Sequence, residues 1–192
     1  FCAGLLQVRP DAPLWAKCGV VAPTQAVREN LVAIAETAGN KTDVSIGTRM
    51  SVREHQVEVL LAIDRIDDAI SLMRKLVAMN AADESQTEQQ LIARIKYRIL
   101  ARMCEIGRLL DRKDLVKESA EQTLALIGTF GKNLMTEWYE KSEGGAIKSI
   151  LDTLIRSKEY ERAEAIVLAM LRATLNSPQV GKNRDKREAL IS

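Results

Sequence analysis

Residues 156–171 read RSKEYERAEAIVLAML, and the way this stretch is read decides the fold. Tyr160, Ala163, Ile166, Val167, Met170 and Leu171 recur three and four residues apart, the spacing of one face of an α-helix. Upstream, Ala146, Ile147, Ile150, Leu151, Leu154 and Ile155 follow the same period. The polar break between the two patterns is so short that the helices must fold back as an antiparallel hairpin. Glu161 lies where an acidic side chain favours the positive end of the helix dipole. Ala163 is small where two helices leaving a tight turn are closest.

The same construction occurs twice more. Val57, Leu60, Leu61 and Ile63 precede the break Asp64-Arg65, after which Ile66, Ala69, Ile70, Met73, Leu76 and Val77 resume the stripe. Leu91, Ile92, Ile95, Ile99, Leu100, Met103, Ile106 and Leu110 precede the break at 111–114, and Leu115, Val116, Ala120, Leu124 and Ile127 follow it. The three breaks superpose with a constant offset of 47 residues, aligning Asp67, Asp114 and Glu161. At that offset Ala69, Val116 and Ala163 coincide, as do Val57, Cys104 and Leu151, and Val77, Leu124 and Leu171. The register is interrupted where Gly107 and Arg108 stand opposite Leu60 and Leu61, and where Ser119 stands opposite Leu72.

Two S-x-x-E sequences, Ser51 to Glu54 and Ser85 to Glu88, have the form of capping boxes and are expected to open helices. A further helix is expected from Thr24 to Gly39-Asn40, on Val27, Leu31, Ile34, Ala35 and Ala38. Gly128, Gly131 and the Gly144-Gly145 pair are expected to punctuate the chain around a short helix at 134–139. No segment alternates with the period of a strand.

The quoted stretch resembles the second-helix half of a tetratricopeptide repeat, with Ala163 and Ala169 at the small positions, and residues 64–77 are similar with Ala69. The resemblance covers residues 50–175 and lacks that family's period of about 34 residues, its W…LG…Y pattern and its terminal proline. It implies an all-α fold of stacked antiparallel helical hairpins, a TPR-like α-solenoid of seven to nine helices. The expected organisation is an irregular lead-in at 1–23, a hairpin-repeat domain at 24–175 and a basic tail at 176–192. Such an array acts by presenting a surface, so the expected function is a non-enzymatic scaffold or adaptor, or subunit of a larger complex, that binds a protein or acidic peptide. The alternatives are a regulatory or ligand-sensing helical module of a larger protein, and a self-associating helical bundle.

Composition narrows the chemistry. With 46% apolar and 28% charged residues among 192, the chain falls in the folded range rather than the disordered one. A net charge of +2 gives no global attraction to nucleic acid or acidic membrane. No apolar run approaches the length of a membrane span. The chain starts at Phe1 rather than Met and is expected to be processed or cut from something longer; FCAGLLQV is too short, and lacks the basic flank, for a whole signal peptide, though not for a remnant of one. Cys2, Cys18 and Cys104 lack CxxC spacing, so neither a zinc module nor a disulfide framework is expected, and a reducing, intracellular and cytoplasmic setting fits. His55 stands alone and is expected at an exposed or capping position in a first helical turn. No catalytic, metal or cofactor motif is present, and no cofactor is expected.

Arg94, Arg98 and Arg102 are spaced i, i+4, i+8 and share one side of a helix. Like charges at that spacing repel, so an acidic neighbour or an acidic partner must offset them. They are the expected partner-binding residues, with Glu88 and Glu105 as the internal counter-charges. Few aromatics accompany them, which disfavours single-stranded nucleic acid.

Overall fold

The structure, a computed structural model, describes residues 24–80, 83–138 and 144–175. Among these residues there are seven α-helices and no strand: α1 (Gln25–Gly39), α2 (Ile46–Ala62), α3 (Ile66–Ala78), α4 (Gln86–Leu109), α5 (Lys113–Trp138), α6 (Gly144–Arg156) and α7 (Tyr160–Leu175). The chain divides into two compact units, residues 1–99 and 100–192. None of the described helices is long and apolar enough to cross a membrane. The lead-in, the basic tail, Cys2, Cys18 and Tyr139 lie outside the described residues, as does the side chain of Trp138.

In the first unit α2 packs against both α1 and α3, and Leu31, Met50, Val59, Met73 and Leu76 fill the space between them. Arg28 Nη1 donates to Ala62 O at 3.1 Å, which fixes the start of α1 beside the end of α2. In the second unit α5 packs most extensively along α7, and Leu115 and Ala120 of α5, Ile150 and Leu154 of α6 and Ile166 of α7 are buried. Each fully buried Leu, Ile or Met stabilises its unit by about 1.5–3 kcal/mol relative to exposure.

The three polar breaks form the same turn. Asp64, Asp111 and Lys158 each have positive φ, at 62°, 53° and 60°. The next amide then reaches back five residues, from Arg65 to Leu60 O (3.0 Å), Arg112 to Gly107 O (2.7 Å) and Glu159 to Leu154 O (2.9 Å). The amides of Asp64, Asp111 and Lys158 donate to Leu61, Arg108 and Ile155 O at 3.1–3.3 Å. This is the Schellman pairing that ends a helix by satisfying its last carbonyls. It recurs at the 47-residue offset read from the sequence, although none of the three left-handed positions is glycine.

The interruption at Gly107 has a structural cause. A β-carbon there would lie 2.9 Å from Leu115 Cβ and 3.1 Å from Arg112 O. In the other two hairpins the corresponding pairs are Leu60 with Asp68 and Leu154 with Arg162, so in the second hairpin the bulk has moved from the first helix to the second. Leu115 is fully buried, whereas Asp68 and Arg162 pair with Arg65 and Glu159. Those two ion pairs occupy the same register positions with their charges exchanged. Arg112, which has Leu115 where the others have a charge, pairs instead with Asp114 at 2.9 Å.

Several local expectations are corrected. α2 starts at Ile46, where Ser45 Oγ accepts from Thr48 N at 3.2 Å, so Ser51 is inside the helix and caps nothing. His55 is therefore in mid-helix and partly buried rather than in a first turn. Ser85 does cap α4, accepting from Glu88 N at 3.3 Å, but the Glu88 carboxylate does something other than close a capping box: it accepts from Gly47 N at 2.6 Å. That contact puts a negative charge on the amide-rich start of α2, where the helix dipole favours it. α5 continues through Gly128 and Gly131 to Trp138, absorbing the expected short helix; a β-carbon at Gly128 would meet nothing within 4 Å. Gly144 and Gly145 form the first turn of α6 rather than a break.

Candidate functional site

The first unit contains a groove of about 640 Å³ with α2 as its floor and α1 and α3 as its walls. Arg49, Arg53, Gln56 and Leu60 follow one another along the floor at helical spacing. The α1 wall supplies Glu29 and Glu36, and the α3 wall supplies Lys75 and the Arg65–Asp68 pair, whose nitrogen and oxygen are 2.6 Å apart. Once Asp68 has offset Arg65, Arg49, Arg53 and Lys75 face Glu29 and Glu36. The groove is polarised, with an acidic side along α1 and basic groups along its floor and opposite wall.

Arg53 is held in place. Its Nη1 donates to Gln56 Oε1 at 2.9 Å and its Nη2 to Asn40 Oδ1 at 2.6 Å. Gln56, itself buried, donates through Nε2 to Val32 O at 3.3 Å, which fastens the floor to the α1 wall. The Arg53 side chain passes over Gly39, where a β-carbon would collide with Arg53 Nε, so glycine at the end of α1 leaves the room this side chain occupies. Burial lowers the pKa of Arg53 from its ordinary value, and the charge of Glu36 opposes the shift. Arg49, one helical turn earlier, has its Nε buried with no hydrogen-bond acceptor among the described residues. A buried donor left unmet costs about 1–3 kcal/mol.

The three arginines selected from the sequence have different surroundings. Arg98 makes a bidentate pair with Glu54, both contacts at 2.7 Å, and Glu54 is largely buried. Arg102 lies 3.6 Å from Glu105 on the same helix. Arg94 is partly buried, with its Nε out of contact with solvent. Arg94 and Arg98 belong to the first unit and Arg102 to the second. Glu105 is thus one internal counter-charge, as expected; Glu54 is another that the spacing did not single out, and Glu88 turns toward Gly47.

The groove pair Arg49 and Arg53 was not selected from the sequence because a helix starting at Ser51 leaves Arg49 outside it. Ser45 followed by Thr48, with Met50 and Val57 continuing the apolar period, was the available signal. In the second unit a smaller hollow of about 300 Å³ is lined by alternating charges, among them Glu105, Arg108, Lys148, Asp152 and Arg156. Cys104 is completely buried, and burial pushes its thiol up to about 12. Among the described residues no group of three or more His, Cys, Asp or Glu side chains could hold a metal ion.

Comparison of the chain with protein-family models, with curated proteins and with solved structures finds no match.

Proposed function

We propose that this chain is a protein-interaction module built from TPR-like helical hairpins, and that it holds an acidic segment of a partner protein in the groove of its first unit. The observation that carries the reading is the Arg49–Arg53 pair on the groove floor, one guanidinium fixed by Asn40 and Gln56 and the other with an unmet buried donor. Guanidinium groups one helical turn apart present parallel N–H donors to carboxylates, which makes an acidic polypeptide a fitting occupant. The recurrence of one turn geometry at 64, 111 and 158 supports the hairpin-repeat part of the reading.

Fluorescence anisotropy with labelled octa-glutamate, octa-glutamine and octa-lysine peptides tests it. Octa-glutamate is expected to bind, and Arg49→Glu to weaken that binding roughly tenfold or more while circular dichroism stays unchanged. A triple reversal of Arg94, Arg98 and Arg102 to glutamate forms a second arm, directed at the face selected from the sequence. Equal binding of the glutamine peptide, or binding indifferent to Arg49→Glu, overturns the assignment to the groove.

A further inference from the structure

The last described helix, α7, has two apolar faces. Ala163 and Ile166 are buried on one of them. On the other, Val167, Leu168, Leu171 and Leu175 are 41%, 43%, 53% and 72% exposed. Apolar side chains this large, continuous over two turns of one helix, mark an interaction surface rather than scattered exposure.

The hairpin register identifies what kind of surface it is. At the 47-residue offset Val167 corresponds to Ala120 and Met73, both fully buried. Met170, partly buried, corresponds to Thr123 and Leu76, which are 0% and 2% exposed. Of the open face, only Val167 stands where the first two hairpins are covered; Leu168 stands where they carry the exposed Arg74 and Glu121, so the third hairpin is apolar at a position that is charged and solvated in the other two. In the second unit α7 is covered chiefly by α5, second helix on second helix, and less extensively by α6 of its own hairpin.

We propose that a second copy of this chain covers the open face, the two α7 helices crossing antiparallel about a two-fold axis at Leu168. The charges on the helix suit that symmetry. Glu164 and Arg172 are both exposed and lie four residues either side of Leu168. A two-fold axis there sets Leu168 against Leu168 and each Glu164 against Arg172 of the second copy, so the patch is self-complementary in shape class and in charge. A second helix-on-helix contact of this kind continues the packing that α5 already makes with α7.

Sedimentation equilibrium of the full chain over a wide concentration range tests the proposal. The wild type is expected to show a monomer–dimer equilibrium, and Leu168→Glu, at a site exposed in the monomer, to abolish the dimer with thermal stability retained. Glu164→Arg and Arg172→Glu are each expected to weaken the dimer roughly tenfold, since each sets like charges together twice across the axis. The double variant E164R/R172E is expected to restore wild-type association, because it only exchanges the partners of each pair. A monomer at every concentration, a dimer indifferent to Leu168→Glu, or a double variant no better than the singles overturns it. A monomer that Leu168→Glu destabilises would instead assign the face to an intramolecular cover.

Discussion

Gly107 and Leu115 meet across the turn of the second hairpin, where a β-carbon on Gly107 would stand 2.9 Å from Leu115 Cβ. The glycine that interrupts the sequence register is what lets a leucine occupy the position held by Asp68 and Arg162 in the other hairpins.

Gly107→Ala should therefore overpack this hairpin and cost about 1–3 kcal/mol, despite the better helix propensity of alanine. Leu115→Ala should cost about 2–5 kcal/mol by leaving a cavity. The two losses should come close to adding in the double variant, because Leu115→Ala keeps the Cβ that a β-carbon at position 107 would meet. Urea unfolding of the four proteins checks this, and a double variant clearly more stable than the sum would show that the outer part of the Leu115 side chain, rather than its Cβ, is what crowds position 107.

The left-handed turn positions give a prediction of opposite sign. A non-glycine residue at positive φ is strained by roughly 1 kcal/mol, and asparagine or aspartate bears it better than lysine. Lys158→Gly should raise the melting temperature, and Asp64→Gly should raise it by less. A fall in melting temperature at Lys158→Gly would mean that the lysine side chain makes a compensating contact.

The Arg98–Glu54 pair joins α4 to α2 through two 2.7 Å contacts. Arg98 is well exposed, with 44% of its side-chain surface accessible, so solvent screening keeps the coupling to about 1 kcal/mol or less. A double-mutant cycle with Arg98→Met and Glu54→Gln should give a coupling of that size that shrinks between 0.05 and about 1 M salt.

Alkaline pH should destabilise the protein through buried acids. Burial raises the pKa of Cys104 to about 12 and raises that of Tyr97 as well. An acid whose pKa is higher folded than unfolded contributes its full stabilisation below its unfolded value, about 8.5 for a thiol, and loses it as pH rises above that value. Stability should hold to about pH 8 and decline above it, and Cys104→Ala should flatten the decline. In a C2S/C18S background Cys104 should react with a thiol reagent at pH 8 only after denaturation, because the native thiol is both protonated and enclosed. Rapid labelling of the native protein at pH 8 would contradict this.

Helices, hairpin pairing and the 47-residue offset were legible in the sequence because each rests on local chemistry. The three- and four-residue spacing of Ile, Leu, Val and Ala, the Thr24 and Ser85 caps, and the acidic first turns at Asp67, Asp114 and Glu161 depend on neighbours within one or two turns. Where a local motif occurs without the structure it usually marks, sequence and structure part. The S-x-x-E form at Ser51 lies inside α2, which Ser45 caps, and the glycines expected to break the chain lie inside α5, which runs through them.

What the sequence determined by itself was an all-α chain whose turns recur, since backbone hydrogen bonds close over five residues and leave their trace at that range. What only the tertiary structure decided was which charges are occupied and where space is short. Glu88 binds Gly47, Glu54 binds Arg98, and Arg53 crosses Gly39, at separations of 41, 44 and 14 residues. Those pairings depend on how helices pack side by side, and packing brings together residues whose sequence separation carries no periodic signal. The groove and the open face of α7 emerge at that level, because burial is a property of neighbours in space.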